Sequence, residues 1–149
     1  MINSRFALAI HVLALLAIEK EDEPTTSGYL ARSANTNPVV IRRILGTLRR
    51  AGLVTAQPGA GGGTSLACRP KDITLLDVYH ALGEGELFSL GSREPNPYCI
   101  CGRNLQPILT DVFCKAEQAV EGTLAGITVA QIAREVEERD FQSQNGITA

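Results

Sequence analysis

The stretch from Asn37 to Gly52 carries its own start and stop signals and constrains the fold more tightly than any other part of the chain. Asn37 suits a helix N-cap, and Pro38 suits the first helical position, where its missing N–H costs nothing. Gly52 is a natural stop after about Ala51. Between these signals Ile41, Ile44, Leu45 and Leu48 share one face of the helical wheel. Val39, Arg42, Arg43, Gly46, Thr47, Arg49 and Arg50 spread over the other. Such a helix must pack on one side and present cations on the other.

Its surroundings narrow the architecture further. Leu53 to Ala56 reads as a short strand, Gln57 to Gly63 as a glycine-rich loop, and Thr64 to Cys68 as the returning strand. Upstream, a first helix is expected from Asn3 to Ile18. From Phe6 onward it is apolar except for His11, which reads as a packed core histidine rather than a ligand. The run is too short for a bilayer, which needs about 20 apolar residues. Acidic residues rather than a small-x-small cleavage site follow it, so a soluble, cytoplasmic chain is expected. Thr25 or Thr26 can cap a second short helix through Ser33, with Leu30 and Ala31 inward. Helix, helix, turn, amphipathic helix and hairpin are the order of a winged helix-turn-helix, so the fold class is mainly α with one small β-hairpin.

Three more helices are expected downstream. Thr74-Leu75-Leu76-Asp77 reads as a capping box opening the fourth, to about Leu82. After a loop to Pro97, Asn104 is the expected cap of a long fifth helix, with Pro107 in its first turn. Leu105, Ile108, Leu109, Val112, Phe113, Ala116, Ala119 and Val120 form its apolar stripe. Thr128 to Gln131 is a second capping box, opening a sixth helix to about Arg139, with the last ten residues frayed. The expected division is a winged helix-turn-helix over 1–83, a sensor loop over 84–103, and a dimerisation helix with a C-terminal helix over 104–149.

Net charge is −2 over the 149 residues, which alone argues against a polyanionic partner. Its distribution reverses that. From Ser27 to Lys71 there are seven basic residues and no Asp or Glu, whereas Asp72 to Ala149 holds twelve acids against five bases. A polyanion would meet the first segment and be repelled by the second. On the basic helix, Arg49 and Arg50 near the end suit phosphates. Asn37, Val39, Arg42 and Arg43 near its start suit base edges, and Pro38 and Thr47 join the DNA-binding set. Gly46 would permit close approach, and the tip glycines Gly59, Gly61 and Gly62 would offer N–H groups to the adjacent backbone or minor groove. Ser4 and Arg5 at the start of the first helix join the DNA-binding set. The plainer alternative is a solvated basic helix beside a floppy loop, or a winged helix that binds protein instead. No Ser/His/Asp set, metalloprotease motif or P-loop is present, so an enzyme is not expected.

The run Asn37 to Val54 resembles the recognition helix of the Rrf2 family of bacterial transcriptional regulators, which includes IscR, NsrR and CymR. Gly59 to Gly63, Leu66-Ala67, Arg69-Pro70 and Ile73 to Val78 are similar to that family's wing and following helix, and the resemblance spans residues 1 to about 138. It implies a homodimer built on the fifth helix and binding palindromic double-stranded promoter DNA as a transcriptional regulator; a repressor is the expected role. The family commonly has Arg before the wing's first glycine and an aromatic after the glycines. Here those positions are Pro58 and Thr64, so the resemblance supports DNA binding without supporting minor-groove readout by this wing.

Four cysteines, Cys68, Cys99, Cys101 and Cys114, are too sparse for a disulfide scaffold. Cluster-binding members of the family carry three closely spaced cysteines before the long helix. This chain offers Cys99-Ile100-Cys101, with Cys114 thirteen residues further on. It is thereby similar to the cluster-free, YwnA-like branch, and no cofactor is expected. A thiol just before a helix is activated by the dipole, and a second one nearby could resolve its sulfenic acid. Cys99, Cys101 and Cys114 are therefore the candidate redox-sensing residues. An iron–sulfur or metal sensor, or inert cysteines, are the other readings. His80, beside Tyr79, has no spacing that recommends it as a ligand.

Overall fold

A computed structural model describes residues 4–19, 23–83 and 85–146. The elements run α1 (Ser4–Ile18), α2 (Ser27–Ser33), α3 (Pro38–Arg50), β1 (Val54–Gln57), β2 (Gly63–Leu66), a 3-10 turn (Pro70–Asp72), α4 (Leu75–Ala81), α5 (Ile100–Ala125) and α6 (Val129–Gly146). The expected helix start at Asn3, most of the acidic run after α1, Glu84 in the expected sensor loop and the final three residues lie outside the described residues.

α1 is the central post. Phe6, Ala9, Val12, Leu13 and Leu16 are buried along it, and it touches α3, α4, α6 and β2. Helices with apolar residues all round are stable only when packed on several sides. His11 corrects the expectation of a core histidine. It is exposed, and its Nε2 lies 2.9 Å from the Ser33 hydroxyl, tying α1 to the end of α2.

The caps form as expected. The Thr26 hydroxyl accepts from Tyr29 N, and Asn37 Oδ1 accepts from Val39 N at 2.9 Å. Thr74 and Asp77 exchange both bonds of a capping box, and Thr128 pairs with Gln131 in the same manner. Ile41, Ile44, Leu45 and Leu48 seat α3 in the core, and Gly52 ends it at φ +78°. β1 and β2 pair antiparallel from Val54 opposite Leu66 to Gln57 opposite Gly63. Thr25 adds one further rung: its N–H reaches Thr64 O at 2.9 Å and its carbonyl accepts from Thr64 N at 2.8 Å. A Cβ at Gly63 would be pressed against the Thr25 carbonyl, so glycine is what lets the two backbones meet.

Two helix boundaries differ from expectation. α5 begins at Ile100 with Cys99 as N-cap, so Asn104 lies inside the helix, its amide donating to Ile100 O at 2.8 Å. Pro107 is then interior rather than in the first turn, and Arg103 O has no helical N–H to accept from. α6 continues to Gly146 instead of fraying after Arg139, because no breaker interrupts it and the pairs Glu135–Arg139 and Asp140–Gln144 span its exposed turns.

α5, about 39 Å long at 1.5 Å per residue, has no buried residue over its 26 positions. Its C-terminal end is pinned to the domain, since Leu75 N bonds Ile127 O and Val129 N bonds Ile73 O. The connecting loop is held to its outer part by stacking of Phe88 on Phe113, 5.0 Å between centroids. Among the described residues no helix is long and apolar enough to cross a membrane.

Candidate nucleic-acid interface

With Ile41, Ile44, Leu45 and Leu48 buried, the 100° step of the helix turns Val39, Arg43, Gly46 and Arg50 straight outward. Arg42 and Arg49 fall on the flank toward the hairpin, and together with Ala56 and Gly63 they line one cleft. Val40 and Thr47 fall on the opposite flank. All four arginines of α3 are exposed. Among the described residues, Arg42, Arg43 and Arg49 have no ion-pair or side-chain hydrogen-bond partner. Three guanidinium groups are therefore held by one rigid helix and available to an outside anion.

The other expected contact residues divide by what they already bond. Asn37 and Pro38 are exposed, but the Asn37 carbonyl oxygen is committed to capping α3, leaving its NH2 to face outward chemistry. Thr47 is half-buried and its hydroxyl donates to Arg43 O at 3.1 Å while Arg50 donates to it at 3.3 Å, so Thr47 steadies Arg50. Ser4 and Arg5 share a cleft with Asn35, Thr36 and Val40, which places the start of α1 beside the start of α3.

The wing does less than expected. Gly59 and Gly61 are exposed at its tip, both at positive φ. Gly62 N–H instead turns inward to Gly59 O at 3.0 Å and is not available to a ligand. Thr64, at the family's aromatic position, is buried under the Thr25 rung and is part of the hairpin's anchor. Ser27, which lines the cleft, carries no local signal in the sequence. Thr25 read as a rival N-cap, and nothing local distinguishes a cap from a strand rung.

The cysteines separate. All four are free and exposed. Cys99 stands at the N-cap of α5, where its sulfur makes no well-formed cap bond. The N–H groups of Gly102 and then Cys101 nevertheless face it closely enough to hold its thiol below the ordinary cysteine range. The Cys101 thiol adds to the same effect. Cys114 lies about 20 Å further along the same helix at 1.5 Å per residue, out of reach of the pair within one chain. Cys68 follows β2, its thiol 3.6 Å from the Gly52 carbonyl. Among the described residues no three His, Cys, Asp or Glu side chains converge as a metal site would require.

Comparison with known proteins agrees with this arrangement. The family profile of Rrf2, described as an iron-dependent transcriptional regulator, matches residues 2–135. YwnA of Bacillus subtilis, named as an HTH-type transcriptional regulator, is 40% identical over 132 residues, covering 89% of this chain and 96% of its own. Among solved structures, T. potens IscR superposes with a TM-score of 0.72 at 24% identity, over 93% of this chain and 90% of its own. CymR of B. subtilis, described as the global cysteine regulator, gives 0.66 at 24% identity over 91% and 97%. Both have the winged-helix fold seen here. The iron of the family description does not fit the cysteines of this chain, which put two thiols at one end of α5 and a third most of a helix-half away. The chain belongs to the Rrf2 family of transcriptional regulators.

Proposed function

We propose that this regulator binds palindromic promoter DNA as a homodimer, acts as a repressor, and is controlled by oxidation at Cys99. The observation that carries the DNA reading is the set of three arginines without a partner among the described residues, Arg42, Arg43 and Arg49, on the outer surface of α3. α3 enters the major groove, Arg43 meets base edges, and the arginines toward the hairpin meet phosphates. The homodimer is supported by α5, on which Leu105, Ile108 and Val112 of the apolar stripe are exposed and no residue is fully buried. DNA binding by such a protein takes place in the cytoplasm.

The switch is chemically complete with peroxide as oxidant. The Cys99 thiolate attacks one peroxide oxygen, giving sulfenic acid and releasing hydroxide. The Cys101 thiol then attacks the Cys99 sulfur, forming the disulfide and releasing water. A disulfide across Cys-x-Cys is tight, so closing it distorts the first turn of α5.

Selection from a random-sequence duplex library tests the first part. It should enrich a two-fold palindrome whose half-sites lie about one helical turn or a multiple apart. With the selected site, Arg49→Ala should weaken binding to every sequence and flatten the salt dependence, whereas Arg43→Ala should erode sequence preference by about 1–3 kcal/mol. The opposite assignment of the two effects would show that the groove orientation is wrong. For the switch, peroxide or diamide should alter binding of the wild type and leave Cys99→Ser unaffected; equal responses would end the redox reading.

A further inference from the structure

On the flank of α3 that faces the hairpin, three separate parts of the chain enclose a cleft of about 270 Å³. Ser27 contributes from the start of α2, Arg42, Gly46 and Arg49 form one strip of α3, and Ala56 and Gly63 contribute from the two strands. Arg42 and Arg49 are seven positions apart and so stand on the same wall, two turns from each other. Neither has a partner among the described residues. No Asp or Glu occurs between Ser27 and Lys71, so no acid on these elements neutralises the cleft.

Gly46, between the two arginines, is the telling residue. Its φ is not positive, so the backbone does not demand glycine there. Packing does not demand it either: a Cβ would meet only the Arg50 guanidinium, at an ordinary 3.6 Å. Glycine is nevertheless the least favourable helix-interior residue after proline. A position that weakens α3 and relieves no internal crowding leaves room for something outside the chain.

The geometry points to this cleft as the seat of one DNA backbone strand, a phosphodiester lying over Gly46 between Arg42 and Arg49. A helix in the major groove and a wing beside the next groove must have one strand pass between them, and this cleft is where helix and wing stand apart. The inference rests on the DNA-binding reading above. It fixes where Arg42 and Arg49 hold the backbone and gives Ser27 and Gly46 roles.

Two variants obstruct the cleft while favouring the local fold. Gly46→Leu replaces a poor helix former with a good one and fills the space. Ser27→Asp puts a carboxylate beside the arginines in the first turn of α2, where an acid is tolerated. Fluorescence anisotropy with a labelled mixed-sequence duplex, read across a salt series, measures the effect in the full-length protein. Each variant should weaken binding on the order of tenfold at low salt and lower the salt slope by about one per protomer. Tm should stay level or rise. If the wild type binds with a steep salt slope and both variants match it, the seat is wrong and the DNA reading stands. If the wild type shows no salt-dependent binding, both fail together. A fall in Tm for Gly46→Leu would show the space already filled and would overturn the assignment. So would inorganic phosphate displacing the duplex far better than chloride at equal ionic strength from wild type alone, since that marks a free-anion site.

Discussion

At Cys99 the chain leaves extended geometry, φ −88° and ψ 137°, and enters α5. The first N–H groups of any helix lack internal partners, and here two of them face a sulfur instead of a hydroxyl or carboxylate. Because they stabilise the anion, the thiol pKa falls, and at neutral pH a larger fraction is thiolate than for an ordinary exposed cysteine. Cys114 is equally exposed yet sits mid-helix, where the N–H groups are used within the helix. Iodoacetamide at pH near 7, followed by mass spectrometry of the peptides, should therefore label Cys99 ahead of Cys114 by several-fold. The gap should close as pH rises above the ordinary thiol range. Equal rates at neutral pH would remove the basis for placing the sensor at Cys99.

Elements in this chain are set by short-range chemistry wherever their ends are legible. Asn37 and Pro38 open α3, Thr74 and Asp77 open α4, and Thr128 and Gln131 open α6, each through side chains within three residues of the N–H they satisfy. Such signals can be read from sequence because no distant partner is needed. The α3 cap should be measurable: Asn37→Ala is expected to lower stability by about 1 kcal/mol, seen as a lower urea midpoint at fixed protein concentration. An unchanged midpoint would mean that α3 is held by core packing alone. Where the partner is remote, the sequence was silent. α5 begins at Cys99 without a side-chain cap bond, a start that no list of preferred caps would pick. Thr25 pairs with a residue nearly forty positions away, and the cleft around Gly46 needs α2, α3 and the hairpin assembled before it exists. The basic face itself was readable, since it follows from helical periodicity alone. How it divides between outward arginines and the wing-side strip was not.

For the molecule as a whole, the unresolved energetic question is what covers α5. Leu105, Ile108 and Val112 are 45%, 58% and 52% exposed, on a helix none of whose residues is buried. An apolar stripe this long is a poor surface for a monomer, and monomers rarely expose a contiguous patch of more than a few hundred Å². The C-terminal end of α5 is tied to the domain and Phe113 is covered by Phe88, which leaves Leu105, Ile108 and Val112 as the exposed apolar strip for a partner. Two copies pairing α5 against α5 about a two-fold axis would bury the stripe of each and set two α3 helices on one side of the assembly. That arrangement would also let a chain of net charge −2 hold DNA: the acid-rich segment from Asp72 onward would serve assembly and face away from the polyanion, while the acid-free segment would face it. Ile108→Glu combined with Val112→Glu places like charges across such an interface without touching the winged-helix core. Light scattering across a concentration series should then report a monomer where the wild type reports a dimer, with Tm of the domain little changed. Affinity for a two-half-site duplex should fall by about two orders of magnitude as the linked second site is lost, while binding to a single half-site is nearly unaffected. A variant that remains dimeric and binds the full site as before would show that the copies, if they pair, do so through another surface.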